Sequence, residues 1–233
     1  MPIKKAMILA AGRGDRLRPL TDITPKPLIK VGARSLIEHH LVALANCGIL
    51  EVVINLSHLG EQISNFLGNG QKYGLNIRYS VEQDSPLETA GGIRKALPLL
   101  GDSPFLVING DVRCTLDFQS LKPPGNANMH LIMVPNPPHH PEGDFWLDDS
   151  FRPAKLVSAQ SPDSAYSKVT FSGIGIYKPQ VFRNLSPGIA PLAPLIHQQI
   201  AAGQITAELF NGYWSDVGTM DRLTAARAWE SKL

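Results

Sequence analysis

Cysteine is almost missing from this 233-residue chain. Cys47 and Cys114 are the only two, too few for a disulfide framework and without metal-ligand spacing. Both read as structural, and the chain as a protein of a reducing compartment, the cytoplasm. No apolar run reaches the about 18 residues that a membrane span needs. The start, Lys4-Lys5 followed by Ala6–Ala11, copies the basic and apolar parts of a secretory leader. It stops at Gly12, however, and runs directly into Arg13, Asp15, Arg16 and Arg18, where a leader would end in small residues; a buried first strand fits better. Charge of one sign is lacking too: 22 basic against 20 acidic residues leave a formal +2. That excludes a general electrostatic hold on nucleic acid or on an anionic membrane, so any recognition of phosphate must be local.

Apolar material is plentiful. At 43% hydrophobic the chain can fill one large α/β domain, expected to span 1–233 with no repeat, low-complexity linker or sharp boundary. Short apolar runs at Ala6–Ala10, Glu51–Asn55, Ile77–Val81 and Phe105–Ile108 read as strands. Between them lie helical patterns. Ser35-Leu36-Ile37-Glu38 has the form of a capping box and opens a helix ending near Gly48, a second covers Gly60–Leu67, and a third begins near Thr89 and closes by Pro98. This alternation implies a Rossmann-like, mostly parallel sheet with helices on both faces, because parallel neighbours need crossover connections. From about Leu116 the pattern loosens into prolines and short strands, Met129–Val134 and Phe171–Tyr177, before helices at Pro191–Ala202 and Thr219–Lys232, the last capped by Thr219. A half of about 1–115 is thus followed by a smaller β-rich part of about 116–233.

The most informative segment is Leu9-Ala10-Ala11-Gly12-Arg13-Gly14-Asp15-Arg16-Leu17-Arg18-Pro19-Leu20-Thr21. A buried strand enters a turn with two glycines and three arginines, which suits a polyphosphate: glycine lets backbone N–H groups approach an anion, and guanidinium grips phosphate oxygens as a fork. A surface turn with solvated arginines is the alternative. The segment is neither a Walker loop nor a dinucleotide fingerprint, since it lacks the closing Gly-Lys-Ser/Thr and has Leu17 where a glycine would stand. Downstream, Thr24-Pro25-Lys26-Pro27-Leu28 holds a lysine between two prolines on a stiff backbone.

These residues resemble the sugar-phosphate nucleotidyltransferase family, whose loop reads roughly L-A-A-G-x-G-x-R-x-x-P-L-T followed by P-K-P; the chain matches at each of those positions. Two aspartates extend the likeness. Asp111 follows the strand Phe105–Ile108 in Asn109-Gly110-Asp111, and Asp216 lies in Trp214-Ser215-Asp216-Val217-Gly218-Thr219. Either alone would serve as a turn or cap residue. Together they resemble the family's G-D and W-x-D-x-G-T motifs, and two carboxylates with phosphate oxygens and water suit Mg²⁺. The resemblance implies a nucleotide-diphospho-sugar transferase fold, a nucleoside triphosphate and a sugar 1-phosphate as partners, and no nucleic acid or membrane. Monomer and small homo-oligomer are both compatible with it.

On that basis Arg16 and Lys26 are the candidate catalytic cations, and Asp111 and Asp216 the candidate metal ligands. Ala11, Gly12, Gly14, Asp15, Arg16, Lys26, Gln83, Leu87, Thr89, Gly91 and Asn109 are candidates for nucleotide binding, with Glu82 beside Gln83 able to touch the base. Leu87–Gly92 reads as a helix start offering free N–H groups to the nucleotide, or else as a capped helix with tolerated glycines. Asn136–Phe145, with Thr170-Phe171-Ser172-Gly173, resembles the subgroup that uridylylates N-acetylmuramate 1-phosphate in peptidoglycan recycling, which implies Asp144, Thr170 and Gly173 on the sugar-phosphate side. Mannose-1-phosphate guanylyltransferases share much of this pattern. A non-catalytic sugar-nucleotide-sensing subunit is disfavoured, because Arg16, Lys26, Asp111 and Asp216 are all present. His139 and His140 read as loop residues, and Lys168 is a candidate phosphate clamp by position alone.

Overall fold

A computed structural model of the protein describes residues 3–82, 86–148, 155–157 and 166–232. Its strands are β1 (Lys5–Leu9), β2 (Lys30–Val31), β3 (Arg34–Ser35), β4 (Glu51–Leu56), β5 (Asn76–Val81), β6 (Phe105–Asn109), β7 (Val112–Cys114), β8 (Met129–Pro135), β9 (Phe145–Asp148), β10 (Lys155–Val157), β11 (Tyr166–Tyr177), β12 (Ile205–Leu209) and β13 (Trp214–Asp216). Its helices are α1 (Leu20–Ile23), α2 (Leu36–Asn46), α3 (Gly60–Leu67), α4 (Glu88–Leu100), α5 (Gln180–Arg183), α6 (Ala193–Ala201) and α7 (Met220–Glu230). Among the described residues no helix is long and apolar enough to cross a membrane.

The centre is a parallel run in the order β6-β1-β4-β5, in register from Lys5↔Glu51 to Leu9↔Asn55 across β1 and β4. Its inner strands β1, β4 and β6 are apolar on both sides, whereas the edge strand β5 alternates with Asn76, Arg78 and Ser80. Ala6 and Ile8 pack with Ile37, Leu41 and Leu44 of α2 and with Ile63 and Leu67 of α3, whereas Met7 faces Ala90, Ile93, Ala96 and Leu100 of α4. Each fully buried side chain of this kind contributes roughly 1.5–3 kcal/mol, so the two layers fix the sheet from both faces. The capping box of α2 is formed, with Ser35 N–H donating to Glu38 Oε2 at 2.9 Å.

One helix runs on where the sequence pattern predicts its end. Pro98 lies inside α4, which continues to Leu100 and closes through Gly101 N–H donating to the Leu97 carbonyl. Burial of Leu100 in the core offsets the hydrogen bond that proline cannot make.

The second half extends the same sheet with strands of mixed direction. β11 is a twelve-residue spine antiparallel to β6, β8 and β9, and β12 joins β8 in parallel. The β8–β11 register shifts between Phe171 and Ile174. Gly173 sits there at φ 79°, where an added Cβ would fall 2.6 Å from Asn109 Nδ2, so the bulge presses against the end of β6. A small third core of Leu17, Ile29, Val31, Leu36, Val217, Leu223 and Ala226 joins the amino-terminal loop to α7. By burying Leu17 and Val217 together, it brings their neighbours Arg16 and Asp216 to one place.

Candidate active site

Two adjoining cavities open at the carboxyl ends of the parallel strands, where open α/β sheets bind ligands. The first, of about 240 Å³, is lined by Ala11, Gly12, Gly14, Lys26, Glu82, Glu88, Thr89, Asn109 and Asp111, among others. The second, of about 340 Å³, is lined by Arg16, His139, Thr170, Gly173, Asp216 and Arg222 among others, and again by Asn109 and Asp111. Residues Asn109 and Asp111 are therefore the shared wall.

Backbone pairing sets the two aspartates side by side. β13 is antiparallel to β7 with Asp216 opposite Val112, and Val217 N–H donates to the Asp111 carbonyl at 2.8 Å. Behind this ribbon, Arg113 Nε and Nη2 lie 2.9 and 2.8 Å from Glu230 Oε2, which ties β7 to α7. Lys26 Nζ is 2.6 Å from Asp111 Oδ2 with only 11% of its side chain exposed. Arg222 Nη1 reaches both Asp216 oxygens at 2.9 and 2.8 Å, and His139 Nε2 lies 3.1 Å from Asp216 Oδ1. The donor set, one carboxylate on the turn between β6 and β7 and one at the end of β13, with no thiolate, fits a hard divalent cation. Among the described residues no group of three or more His, Cys, Asp or Glu could hold a metal ion by itself.

Other candidates are placed differently. Asp15 is exposed, pairs with Arg13 at 3.4 Å and lines neither cavity. Arg16 lies on the second cavity, not the first. Leu87 and Gly91 face a separate hollow on the far side of α4. The expected free N–H groups at that helix start are partly used, because Ala90 and Gly91 both donate to the Ala190 carbonyl at 3.0 Å. Glycine at 91 answers to packing: an added Cβ would lie 2.3 Å from the Gly188 carbonyl oxygen. Asp144 lines neither cavity either. Its Oδ1 lies 3.0 Å from His140 Nε2 and its Oδ2 accepts from Phe171 N–H at 2.8 Å, so it holds the 136–144 loop against β11. Thr170 donates to Asn136 Oδ1 of the same loop at 2.9 Å. Lys168 Nζ sits 5.0 Å above the Trp146 ring, away from both cavities. Gln83 lies outside the described residues.

Three participants carried no local signal. His139, read from sequence as a loop residue, reaches Asp216. Arg222 is three residues past the cap of α7, and only the docking of that helix turns it inward. Asn55 looks like the polar end of a strand, yet lines the first cavity together with Glu82.

The nucleotidyl transferase family model matches residues 5–231. The chain belongs to this family. It is 47% identical to the N-acetylmuramate alpha-1-phosphate uridylyltransferase of Neisseria meningitidis serogroup B, over 96% of this chain and 97% of the relative. It is 30% identical to a mannose-1-phosphate guanyltransferase of Hypocrea jecorina, covering 92% of this chain but 60% of that longer relative. Among solved structures, a Bacillus anthracis protein proposed to be a glucose-1-phosphate thymidylyltransferase, in complex with sucrose, superposes with a TM-score of 0.79 at 27% identity, over 98% and 96% of the two chains. This nucleotidyltransferase thus has the nucleotide-diphospho-sugar transferase fold expected from its sequence, and its relatives are sugar-1-phosphate nucleotidyltransferases.

Proposed function

We propose that the chain transfers a uridylyl group from UTP to N-acetylmuramate 1-phosphate, releasing pyrophosphate, as a step of cell-wall recycling in the cytoplasm. The observation that carries this reading is the shared wall: Asn109 and Asp111 line both cavities, so a nucleotide in one and a sugar phosphate in the other would meet at Asp111. The choice of base and sugar is supported by 47% identity along nearly the whole of a relative of that activity, against 30% for the guanyltransferase.

An oxygen of the sugar 1-phosphate attacks the α-phosphorus of the triphosphate in line, forming one P–O bond while the bond to the β-phosphate bridge breaks. The acceptor arrives ionised, so no general base is needed and the protein orients and neutralises. Gly12 has no protein atom within 4 Å of where its Cβ would stand, leaving backbone open to a ligand. Lys26, fixed between prolines, would oppose the repulsion between the two phosphates as they approach. Two unit charges about 4 Å apart interact by about 4 kcal/mol at an effective dielectric of about 20, so one displaced cation matters. Arg16, standing on the second cavity, would hold a phosphate on that side. Asp111 and Asp216 would hold Mg²⁺, which supplies charge neutralisation on the triphosphate when bound. Thr170 and Gly173, on the bulge of β11, would face the sugar, and Asp144 would support them through the loop.

A panel of the four nucleoside triphosphates against N-acetylmuramate, mannose and glucose 1-phosphates, read by pyrophosphate release, tests the proposal. The highest kcat/KM is expected for UTP with N-acetylmuramate 1-phosphate. A higher value for GTP with mannose 1-phosphate would replace this reading by the guanylyl one, and nucleotide binding without turnover would mark a sensing subunit.

A further inference from the structure

A buried polar chain crosses the floor of the first cavity. Ala10 N–H donates to Asn55 Oδ1 at 2.7 Å, Asn55 Nδ2 donates to Glu82 Oε1 at 2.7 Å, and Leu87 N–H donates to Glu82 Oε2 at 2.8 Å. Asn55 and Glu82 are each 3% exposed. The chain joins the ends of β1, β4 and β5 to the residue before α4, the segments that enclose the cavity. Gly92 makes room for it, since a Cβ there would lie 2.8 Å from Glu82 Oε1 and 3.1 Å from Asn55 Nδ2.

The direction of every bond is fixed from its two ends. A backbone N–H can only donate, so Ala10 requires the oxygen of Asn55, which turns the Asn55 amide group toward Glu82. Leu87 N–H likewise requires an acceptor. Residue 82 must therefore accept through both of its terminal atoms, as a carboxylate does and a carboxamide, with a single acceptor atom, does not. Next along the chain, Glu88 is held at φ 58°, a left-handed conformation that non-glycine residues seldom adopt. It is pinned on one side by Leu87 on Glu82 and on the other by Ala90 and Gly91 on the Ala190 carbonyl. Such a conformation persists only where its surroundings over-determine it.

We propose that Glu82 and Asn55 form a positioning pair that sets the width of the nucleotide cavity, locking the Ala10–Gly12 loop to the start of α4. With both of its oxygens engaged, Glu82 is part of the frame and not a reader of the base. The pair governs affinity for the nucleotide and leaves affinity for the acceptor alone. This inference rests on the first cavity being the nucleotide side of the proposed reaction.

The experiment is a donor–acceptor reversal. In Glu82→Gln the new amide group must face either Asn55 Nδ2 or Leu87 N–H, donor against donor. In Asn55→Asp an oxygen faces Glu82 Oε1, acceptor against acceptor. The double variant Asn55→Asp/Glu82→Gln restores every bond with one link reversed. The carboxamide now at position 82 donates to the carboxylate now at position 55, which still accepts from Ala10 N–H, while the carboxamide oxygen still accepts from Leu87 N–H. Volume and net charge match the native pair. Dissociation constants are measured by calorimetry for whichever of the four triphosphates the native enzyme binds most tightly, together with the acceptor KM at saturating nucleotide. Each single variant is expected to weaken nucleotide binding by about tenfold, the effect of one buried hydrogen bond lost, with acceptor KM unchanged, and the double variant to recover most of the loss. Native-like nucleotide affinity in a folded single variant overturns the proposal. So does a double variant that folds but binds no better than the singles, or an acceptor KM that rises in parallel. If a single variant does not fold, the double variant decides alone. A native enzyme that prefers a triphosphate other than UTP would correct the proposed substrate without touching the pair.

Discussion

Lys26 Nζ lies 2.6 Å from Asp111 Oδ2. The lysine proposed to face the reacting phosphates and the carboxylate proposed to hold the divalent ion are thus each other's counter-charges, and a change at either is felt at both. Lys26→Ala should lower kcat by roughly two to three orders of magnitude, the usual cost of one preorganised charge-stabilising group. Steady-state pyrophosphate release measures this, and turnover close to that of the native enzyme would remove Lys26 from the reaction.

Asp111→Asn keeps the shape of the side chain and removes its charge. The Mg²⁺ titration of activity should move to higher concentration by about tenfold to hundredfold, the range for one charge-assisted contact. An unmoved midpoint would leave Asp216 without this partner in coordination.

Arg222 is placed to compete with the proposed ion for the same carboxylate. It is bound to both oxygens of Asp216, and its Nε is buried without a partner among the described residues. Replacing it by methionine should tighten binding of Mn²⁺, used as a spectroscopic probe, by about fivefold, the equivalent of an ion pair worth about 1 kcal/mol. Electron paramagnetic resonance on the resting protein reads this without turnover. Weaker Mn²⁺ binding would instead make Arg222 a support for the coordinating geometry.

His40, on the inner face of α2, is 3% exposed and its Nε2 has no partner among the described residues. Burial, helped by nearby His39 and Arg113, pushes it down to about 4. The unfolded chain then binds the proton more readily than the folded one, so stability is full above about pH 6.5 and is lost as pH falls toward 4. The difference amounts to about 3 kcal/mol. Melting curves across that window should show the loss, and His40→Gln should flatten it. An equal slope in the variant would assign the acid sensitivity to other groups.

The parallel core was readable because its strands and helices are long enough to carry a period. Ala6–Ala10 is shifted by one residue at both ends from β1, Glu51–Asn55 stops one residue short of the end of β4, and Gly60–Leu67 matches α3 at both ends. The loop from Ala11 to Lys26 could be assigned to phosphate chemistry because glycine, arginine and proline act locally. What escaped is non-local. β7 and β13 have three residues each and exist only by pairing with one another. Asn55 and Glu82 are 27 residues apart, one inside β4 and one just past the end of β5, and neither strand's pattern says anything of a shared hydrogen bond. Asp144 resembles a sugar contact by motif, and its oxygens are engaged by His140 of its own loop and by Phe171 N–H of β11; that competition is visible only once His140 and Phe171 have positions. Pro98 marked a helix end by its own chemistry, and core burial of Leu100 carried the helix past it.

The ribbon of β7 and β13 also sets an order of events during synthesis. Asp111 leaves the ribosome early, just after the strands that build the parallel run, but Asp216 and the helix that seats Arg222 emerge about a hundred residues later, at roughly 5–20 residues per second. A nascent chain can therefore hold the strands of the parallel run seconds before it owns both acids. Until Leu223 and Ala226 of α7 pack with Leu17, the growing polypeptide has one wall of the proposed site without the other.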